Sequence, residues 1–526
     1  MGDLATQLDR LLAPGQRVVV VSNRGPLSFH RARGKRWRAD RGSGGLVTAL
    51  ADLGRLVPIR WVSTASDAGD RAAGVALRAG RAGAVALNAV ISAELPGQDL
   101  ELDLVDVPEE IYQAHYGVVS NPFLWFLQHQ LFALPYEPNV DESLLTDWRE
   151  GYRVVNRLLG EAALGAHGAK TAARPVVLLQ DYHLYLAAGV IRETRPDALI
   201  QHFNHIPWPA VEALQVIPRD LRREIVGGLL ENDILGFQTD HYATNFLLAA
   251  EAFVPDARVD PDGRNVRWHD RTIWVRSYPI SLDPDALRAF AAGPAVAEAM
   301  THLTERLERA GKPRLIVRVD RLEPSKNALR GFLAFESLLE RRPDLRPTVR
   351  FLAIQSTSRE NIPEYARYAV AVREVVARVN GMADPEEQPI WLLDGSDRAL
   401  AIAALRLAHT VLVNPIVDGM NLVAKEAVLV AQPVLILSET AGAAEQLAGD
   451  SLAVTAADVA GTSRTMERAL AMSDEERIRR ARRLRASVRD EDLSWWLGRQ
   501  VRDLAAVAAG RRPPSRQLRD AMRRSS

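Results

Sequence analysis

The amino-acid sequence predicts an α/β fold built from two series of strands. Apolar, β-branched runs of strand length alternate with longer amphipathic stretches almost throughout the chain, which is typical of parallel sheets covered by helices. Several runs end directly in polar or charged residues, as in "VVVVSNR" and "LIVRVDR". Ligands of open α/β sheets bind at such carboxyl ends.

The runs fall into two groups, separated by the Pro-containing turn in "SYPISLDPDALRAF". The first group is "QRVVVVSNRG", "RPVVLLQDYH", "LIQHFNHIP" and "NDILGFQT", and the second is "PRLIVRVDR", "VRFLAIQST", "QPIWLLDGS", "TVLVNPIV" and "QPVLILSET". We therefore expect two Rossmann-like domains, residues 1–283 and 284–489, with a cleft between them. A helix over 490–510 should pack back toward the first domain, and the basic tail 511–526 should be disordered.

Composition excludes several classes of protein. The 526 residues are too many for one ordinary core. Lys+Arg and Asp+Glu both number 66, so no net charge recruits nucleic acid or an anionic membrane. The absence of cysteine excludes disulfides and thiolate chemistry. Without an apolar run near the roughly 20 residues of a membrane span, or a signal-peptide block, a cytoplasmic protein is expected. Oligomeric state stays open, a homo-oligomer included.

The stretch "DGMNLVAKE", Asp418 to Glu426, follows the apolar run "HTVLVNPIV" and predicts a strand, a loop and a helix. The unpaired N–H groups of the first helical turn attract phosphate. Asp418 and Glu426 can accept hydrogen bonds from sugar hydroxyls. A polyol-bearing nucleotide would suit both features, whereas an ordinary capped helix is the alternative.

Two cations follow another run, in "VRVDRLEPSKN". Arg321 and Lys326, one of five lysines in the chain, could neutralise a diphosphate leaving group without a metal. A surface ion pair between Arg321 and Glu323 is the alternative.

Glycines stand before a predicted helix in "RGSGGLVTAL". Gly44 and Gly45 would let the backbone approach a phosphate closely. The pattern is not G-x-G-x-x-G, so a dehydrogenase is disfavoured. A plain connection between a strand and a helix is the alternative.

Asp181 in "LLQDYHL" and His205 in "HFNHIPWP" follow apolar runs of the first half and could face one site, or be satisfied in the core. The chain lacks G-x-S-x-G and H-E-x-x-H, which disfavours acyl transfer and a zinc hydrolase. The triplets Asp260-Pro261-Asp262 and Asp283-Pro284-Asp285 predict turns rather than a metal site. No catalytic metal and no other cofactor are expected.

Eight motifs, "SNR", "GSGGL", "DYHL", "HIPWP", "DILGFQT", "RLEPSK", "TSR" and "DGMNLVAKE", stand in the order and approximate spacing of the trehalose-6-phosphate synthase family. The chain resembles this group of retaining, metal-independent glycosyltransferases of the two-domain GT-B type from about Val18 to about Leu504. The resemblance implies a nucleotide-diphospho-glucose donor, a sugar phosphate acceptor and front-face displacement without a covalent nucleophile. It leaves the nucleotide base open.

The resemblance also implies roles for individual residues. Catalytic roles fall to Asp181, His205, Arg321 and Lys326. Donor binding involves Gly44, Gly45, Arg321, Lys326, Asp418, Gly419, Met420, Asn421, Leu422, Val423 and Glu426, with Glu426 on the ribose. Acceptor binding involves Arg24, Trp61, Tyr116, Trp125, Asp181 and Arg359.

One departure concerns the acceptor. The family commonly carries W-x-G-W-x-G, whereas this chain has "RWVSTAS", which keeps Trp61 but replaces the glycine by Ser63 and the second tryptophan by Thr64. A related pseudo-glycosyltransferase that couples two cyclitols through nitrogen also belongs to the superfamily. Transfer of glucose to glucose 6-phosphate is the first expectation. Glycerol 3-phosphate or an aminocyclitol phosphate as acceptor is the second, and a silent sugar-phosphate sensor is the third.

Overall fold

The computed structural model describes residues 11–31, 36–42, 52–80, 82–165, 173–359, 362–384 and 387–511, together with residues 6, 8 and 50. The chain divides into two compact units, Met1–Tyr278 with Trp496–Ser526, and Pro279–Trp495. Each unit has its own sheet of mainly parallel strands, which confirms the predicted α/β class. The chain enters the second unit at Pro279, slightly before the expected Pro284, and leaves it at Trp496. The predicted tail beyond residue 511 lies outside the described residues.

The described strands of the first unit are β1 Val18–Ser22, β2 Leu27–Arg31, β3 Trp37–Arg41, β4 Ile59–Thr64, β5 Leu100–Val105, β6 Val176–Gln180, β7 Leu199–Asn204, β8 Ile234–Phe237, β9 Arg258–Asp260, β10 Asn265–Trp268 and β11 Arg271–Ser277. Their main sheet has the order β5-β4-β1-β6-β7-β8-β11-β10-β9, and β2 and β3 form a separate hairpin. From β5 to β11 in this order the neighbours are parallel, and β10 and β9 continue antiparallel.

Burial explains the central strands of this sheet. Every residue of β1, β6 and β7 is buried, as expected for parallel strands with helices on both faces. Val21, Leu179 and Ile200 form a core with Leu159 and Ile191 from neighbouring helices. The polar residues that follow the strands are therefore presented at one edge of the sheet.

The described helical segments of the first unit are Asp52–Arg55, Ala68–Arg78, Ala82–Glu94, Glu109–Tyr112, Gln113–Leu124, Trp125–Gln128, Glu142–Thr146, Asp147–Tyr152, Arg153–Leu164, Tyr182–Leu184, Ala187–Thr194, Val211–Leu214, Arg219–Leu230 and Asp240–Phe253. Asp147–Tyr152 is wound as π-helix, a rare form that is frequent at functional sites, whereas Gln113–Leu124 is kinked at Asn121, whose φ of −131° and ψ of 113° are not helical.

A C-terminal helix, Leu493–Ala508, packs on the first unit from Trp496 onward. The Trp496 side chain is fully buried, and its Nε1 donates to the Tyr278 carbonyl at 3.0 Å. The Tyr278 hydroxyl donates to Asp503 Oδ2 at 2.6 Å. Gln201 Nε2 donates to Gln500 Oε1 at 2.6 Å. These contacts attach the C-terminal helix to the first unit.

The described strands of the second unit are β12 Arg314–Arg321, β13 Val349–Ser356, β14 Ile390–Asp394, β15 Thr410–Val413, β16 Val434–Ser438 and β17 Leu452–Val454. They form a parallel sheet in the order β14-β13-β12-β15-β16-β17. Its described helical segments are Pro284–Ala291, Pro294–Arg309, Pro324–Lys326, Ala328–Arg341, Pro343–Leu345, Pro363–Asn380, Arg398–Leu407, Leu422–Val430, Ala444–Leu447, Val459–Leu470 and Asp474–Asp490. Ile316, Phe351 and Ile436 of the sheet pack against Phe335 and Val372 of the helices.

The two D-P-D triplets have structural roles. Asp260 Oδ1 accepts from the Gly263 backbone N–H at 2.8 Å, which closes a turn. Asp283 caps the helix Pro284–Ala291 by accepting from the N–H groups of Asp285 and Ala286. Among the described residues, no group of three or more His, Cys, Asp or Glu side chains is arranged to hold a metal ion. No described helix is both long enough and apolar enough to span a bilayer.

Candidate active site

In the second unit, the predicted ligand-binding residues lie at the carboxyl ends of three adjacent strands. Arg321 is the last residue of β12, Arg359 follows β13, and Asp418 follows β15. Because β12 pairs in parallel with both β13 and β15, the carboxyl-terminal ends of the three strands lie side by side and form one carboxyl-terminal edge of the sheet. Open α/β sheets bind their ligands at this edge.

Lys326 and Asp418 form an ion pair at this edge. Lys326 Nζ lies 2.5 Å from Asp418 Oδ2, and the two side chains are 16% and 12% exposed. Asn421 Nδ2 donates to the same carboxylate oxygen at 3.0 Å. The predicted phosphate cation and the predicted sugar-binding acid are thus in direct contact.

Glu323 is a buried carboxylate surrounded by cations. Arg321 Nε lies 2.8 Å from its Oε1; the arginine side chain is 49% exposed and the glutamate side chain is fully buried. Ser358 Oγ also donates to Glu323, at 3.0 Å. Burial alone would raise the pKa of Glu323, but the charges of Arg321, Arg359 and Lys326 lower it to about 2. The ion pair between Arg321 and Glu323, which the sequence suggested as a surface contact, is therefore present, but the Glu323 carboxylate is buried.

The loop after β15 brings the backbone close to a neighbouring turn. Gly442 N donates to the Asp418 carbonyl at 3.0 Å, and a Cβ on Gly442 would lie 1.9 Å from the Gly419 carbonyl oxygen. Asn421 has a φ of +78° and caps the helix Leu422–Val430 by accepting from Ala424 N. This geometry leaves the N-terminal turn of the helix at the sheet edge, as the sequence predicted. Met420 is buried.

Two charged residues of this helix differ in their surroundings. Lys425 is fully buried, and its Nζ donates to the Ile280 carbonyl at 2.9 Å. Burial lowers the pKa of Lys425 to about 7, against a smaller opposing effect of Glu491. Glu426 lies 3.7 Å from Arg398, and burial raises its pKa while Arg398 opposes the shift. A neutral lysine amine can still donate to a carbonyl, so Lys425 is a structural anchor of the helix.

In the first unit, Asp181 and His205 are in direct contact at the ends of β6 and β7. The His205 backbone N–H donates to Asp181 Oδ1 at 3.0 Å. His205 Nε2 lies 3.0 Å from Gln180 Oε1, and Gln238 Nε2 lies 3.5 Å from His205 Nδ1. Burial lowers the pKa of His205 to about 3, helped by His202, so the imidazole is neutral at pH 7. Since Gln180 supplies an acceptor, the proton resides on Nε2.

Arg24 and Tyr116 also meet in the first unit. The Arg24 guanidinium carbon lies 5.2 Å from the centre of the Tyr116 ring. Tyr116 stacks on Tyr112 at 5.5 Å and on His183 at 5.9 Å, with interplanar angles of 3° and 9°. A cation above an aromatic stack can hold a phosphate while the ring supports it.

The other predicted site residues are more scattered. Trp61 is fully buried and its Nε1 donates to Ser22 Oγ at 2.7 Å, so it supports β1, and its contact with the acceptor stays a prediction. Trp125 is 6% exposed and stacks on His129 at 4.0 Å. Arg359 belongs to the second unit, where its Nη1 donates to the Tyr365 hydroxyl at 2.8 Å. Gly44 and Gly45 lie outside the described residues.

Comparison with known families decides the class of this chain. The sequence model of "Glycosyltransferase family 20" matches residues 16–506 of the 526. The chain belongs to glycosyltransferase family 20. It is similar to α,α-trehalose-phosphate synthases, and the family resemblance of the motifs is confirmed.

Named relatives of this family 20 chain include a trehalose-6-phosphate synthase from Mycobacterium sp., 34% identical over 94% of this chain and 96% of the relative. A bifunctional trehalose-6-phosphate synthase/phosphatase from Thermoproteus tenax is 33% identical, over 80% of this chain. A validamine 7-phosphate valienyltransferase from Streptomyces hygroscopicus is 29% identical over 94% of this chain and 96% of the relative. The chain spans 55% of the Thermoproteus protein and 61% of a Dictyostelium discoideum synthase.

Solved structures of family 20 enzymes share the fold. A UDP-forming α,α-trehalose-phosphate synthase from Burkholderia xenovorans, in complex with glucose-6-phosphate, has a TM-score of 0.75 at 27% identity and covers 93% of this chain and 100% of that one. The E. coli protein bound with UDP-2-fluoro glucose has a TM-score of 0.75 at 26% identity and covers 93% and 99%.

Sequence reasoning missed several residues of this family 20 site. Glu323 was recognised only as a surface partner, although it is buried beneath the cations. Gln180 and Gln238 contact the ring of His205, and Tyr112 contacts Tyr116. Gln180 and Gln238 could have been noticed, because Gln180 ends an apolar run beside Asp181 and Gln238 directly follows the run in "DILGFQT", whereas Tyr112 carried no such signal.

Proposed function

We propose that this protein is a retaining glucosyltransferase that moves glucose from a nucleotide-diphospho-glucose to glucose 6-phosphate and so makes trehalose 6-phosphate. The observation that carries the proposal is the edge of the second sheet, where Arg321, Lys326 and Asp418 lie beside the start of the helix Leu422–Val430. Cations and a helix N-terminus suit a diphosphate, and a carboxylate suits a sugar hydroxyl.

When the donor binds, Lys326 would exchange its ion-pair partner Asp418 for the diphosphate. The diphosphate of the donor competes with Asp418 for Lys326, and a freed Asp418 carboxylate can accept from a glucose hydroxyl. Arg321 is already oriented by the buried Glu323, so less conformational entropy is lost when it contacts the phosphate. The N–H groups of the first helical turn add fixed donors. Glu426, on the same helix, is the proposed ribose contact.

Transfer requires breaking the bond between the anomeric carbon and the diphosphate oxygen. Arg321 and Lys326 stabilise the negative charge that develops on this oxygen, and no metal is required in this scheme. The acceptor hydroxyl attacks the anomeric carbon from the face that the diphosphate leaves, its proton passes to the departing diphosphate, and the configuration is retained. His205 is neutral and serves as a hydrogen-bonding group for the glucose rather than as an acid.

Arg24 and Tyr116 are the proposed acceptor-phosphate contacts, with Arg359 and Trp125 as further predicted ones and Asp181 near the reacting hydroxyl. Support comes from the stacking of Arg24 on Tyr116 and from the similarity to a Burkholderia xenovorans synthase that was crystallised with glucose-6-phosphate. The E. coli relative bound with UDP-2-fluoro glucose supports a nucleotide-sugar donor of the same class.

The test is to incubate the protein with UDP-, GDP- or ADP-glucose, with and without glucose 6-phosphate, in the presence of a chelator. Acceptor-dependent release of nucleoside diphosphate is expected with at least one donor, and NMR of the product should show an α,α linkage. If no donor releases diphosphate when glucose 6-phosphate is added, the proposal is wrong. Arg321→Ala should abolish the release, whereas Arg342→Ala, next to the amino-terminal end of β13, should preserve it.

A second candidate is transfer to another phosphorylated acceptor, such as glycerol 3-phosphate or an aminocyclitol phosphate. Ser63 and Thr64 favour it because they replace residues common in the family. The 29% identity to a validamine 7-phosphate valienyltransferase supports it further. Release of diphosphate with one of these acceptors, but not with glucose 6-phosphate, would select this candidate.

A further inference from the structure

The aromatic stack of the first unit contains a residue to which no motif assigned a role. Tyr112 ends the helix Glu109–Tyr112 and lies parallel to Tyr116 at 5.5 Å. Tyr116 in turn contacts Arg24. Tyr112 packs against the core of the first unit but is only partly buried, so part of its side chain is exposed next to the proposed phosphate contacts.

The Tyr112 hydroxyl is held by Asn23, the residue that follows β1. Asn23 Nδ2 donates to the hydroxyl at 3.3 Å. Thr64 Oγ1, at the end of β4, donates to the Asn23 carbonyl at 2.5 Å. Asn23 therefore connects the Tyr112 hydroxyl to the ends of both strands.

Tyr112 carries no charge in this environment. Burial raises the pKa of Tyr112, while the Arg24 charge opposes the shift. The phenol therefore keeps its proton at neutral pH and accepts from Asn23 as a neutral hydroxyl.

The backbone between these groups has little freedom. A Cβ on Gly25 would lie 2.9 Å from Ser63 Oγ, so the residue after Arg24 packs tightly against β4. Thr64 is itself buried.

We propose that Tyr112 is a specificity-determining residue that forms a wall of the acceptor site and limits acceptors to phosphorylated polyols of about monosaccharide size. The inference rests on the proposed function, since Arg24 and Tyr116 mark the acceptor site. Asn23 holds the wall in place through the Tyr112 hydroxyl. The Tyr112 ring excludes larger acceptors by its bulk.

The experiment compares Tyr112→Ala, Tyr112→Leu and Tyr112→Phe with the wild type at saturating donor. The acceptors are glucose 6-phosphate and the larger maltose 6'-phosphate. In the Ala and Leu variants, KM for glucose 6-phosphate should rise about tenfold, and the preference for it over the larger acceptor should fall about tenfold, because the wall is lost. The donor KM should stay within about twofold, as expected for a group that does not touch the donor.

Tyr112→Phe keeps the ring and should keep the preference, although KM for glucose 6-phosphate rises about threefold because the ring is less firmly held. Tyr278→Phe is the matched control, since it also loses a buried phenol hydrogen bond, to Asp503, and should keep both the preference and KM.

Folded Ala and Leu variants with the wild-type preference would overturn the inference, and so would an equal rise of donor and acceptor KM. If Tyr112→Leu folds and Tyr112→Ala does not, the acceptor preference of Tyr112→Leu alone tests the inference. A wild type that transfers to no phosphorylated acceptor would instead refute the proposed function, and the role of Tyr112 with it.

Discussion

Lys326 Nζ lies 2.5 Å from Asp418 Oδ2, and this ion pair joins the turn after β12 to the loop after β15. Both side chains are largely shielded from solvent, where an ion pair is screened less than on the surface. Asp418 keeps the ammonium in place before a donor arrives. A diphosphate can then replace Asp418 as the partner of the Lys326 ammonium without a large movement of the backbone.

Lys326→Ala should slow the chemical step roughly a hundredfold, because one charge-stabilising group at the leaving oxygen is lost. The measurement is single-turnover release of nucleoside diphosphate with donor and glucose 6-phosphate. Lys312→Ala is the matched control, since Lys312 precedes β12 at the opposite end of the strand and should react at the wild-type rate. A near-normal rate in Lys326→Ala would exclude the phosphate clamp.

Glu323→Gln should destabilise the second unit in a pH-dependent way. The pKa of Glu323 is about 2 in the folded protein and about 4.3 when unfolded. Because the folded pKa is lower, the carboxylate stabilises the fold above the unfolded pKa, and this contribution is lost as pH falls toward 2. The variant should lose up to about 3 kcal/mol of unfolding free energy at pH 7 and about half as much at pH 3.

Urea unfolding of wild type and Glu323→Gln across this pH range measures the difference. The exposed Glu340→Gln is the control and should change little at any pH. A difference between wild type and Glu323→Gln that is constant from pH 7 to pH 3 would mean that the buried carboxylate is not the group that titrates.

The sequence predicted those parts of the fold that depend on local pattern. Strands such as β1, β6 and β12 are continuous apolar runs, and the polar residues after them mark the ligand edge. The edge strand β5, "LELDLV", was missed because its alternating acids reflect exposure of one face.

Contacts between distant residues could not be predicted from local patterns. The sequence predicts roles for both Lys326 and Asp418, but their ion pair spans 92 positions and forms only because the fold places the ends of β12 and β15 side by side. The burial of Glu323 was hidden because its neighbours in "RLEPSK" are mostly polar. Trp61 was assigned to the acceptor by its motif, while its burial depends on β1 and β4 packing in the sheet.

Lys425→Met should stabilise the protein at neutral pH. Lys425 is fully buried and its pKa is about 7, against about 10.4 in the unfolded chain. Unfolding therefore takes up a proton between these values, so the stability of the wild type should rise from pH 7 to pH 9. Methionine has a similar volume and no charge. The free energy of unfolding of the variant should therefore be higher than that of the wild type by about 1 to 3 kcal/mol at pH 7, and it should not increase between pH 7 and pH 9.

Thermal or urea unfolding at pH 7 and pH 9 provides the measurement, and the exposed Lys312→Met controls for the loss of a lysine. A Lys425→Met variant that is less stable than wild type at both pH values would show that the bond from Nζ to the Ile280 carbonyl outweighs the burial of the amine.

Asp181 is held in a strained backbone conformation, with φ +72° and ψ 174°, a region populated almost exclusively by glycine. Strain of this kind amounts to about 1 to 3 kcal/mol and is retained mainly where function requires it. Here it aims the carboxylate at the His205 backbone N–H, at 3.0 Å. The strain therefore serves to place Asp181 at the ends of β6 and β7.

Comparing Asp181→Gly with Asp181→Ala separates strain from the lost carboxylate, because both variants lose the hydrogen bond to His205 but only glycine relaxes the backbone. Glycine is ordinarily less stable than alanine by about 0.5 to 1 kcal/mol. At this position the order should reverse, with glycine more stable by about 1 to 3 kcal/mol, while both variants lose glucosyl transfer. An alanine variant that unfolds at a higher urea concentration than the glycine variant would show that residue 181 stores no strain, and loss of transfer would then be attributable to the carboxylate alone.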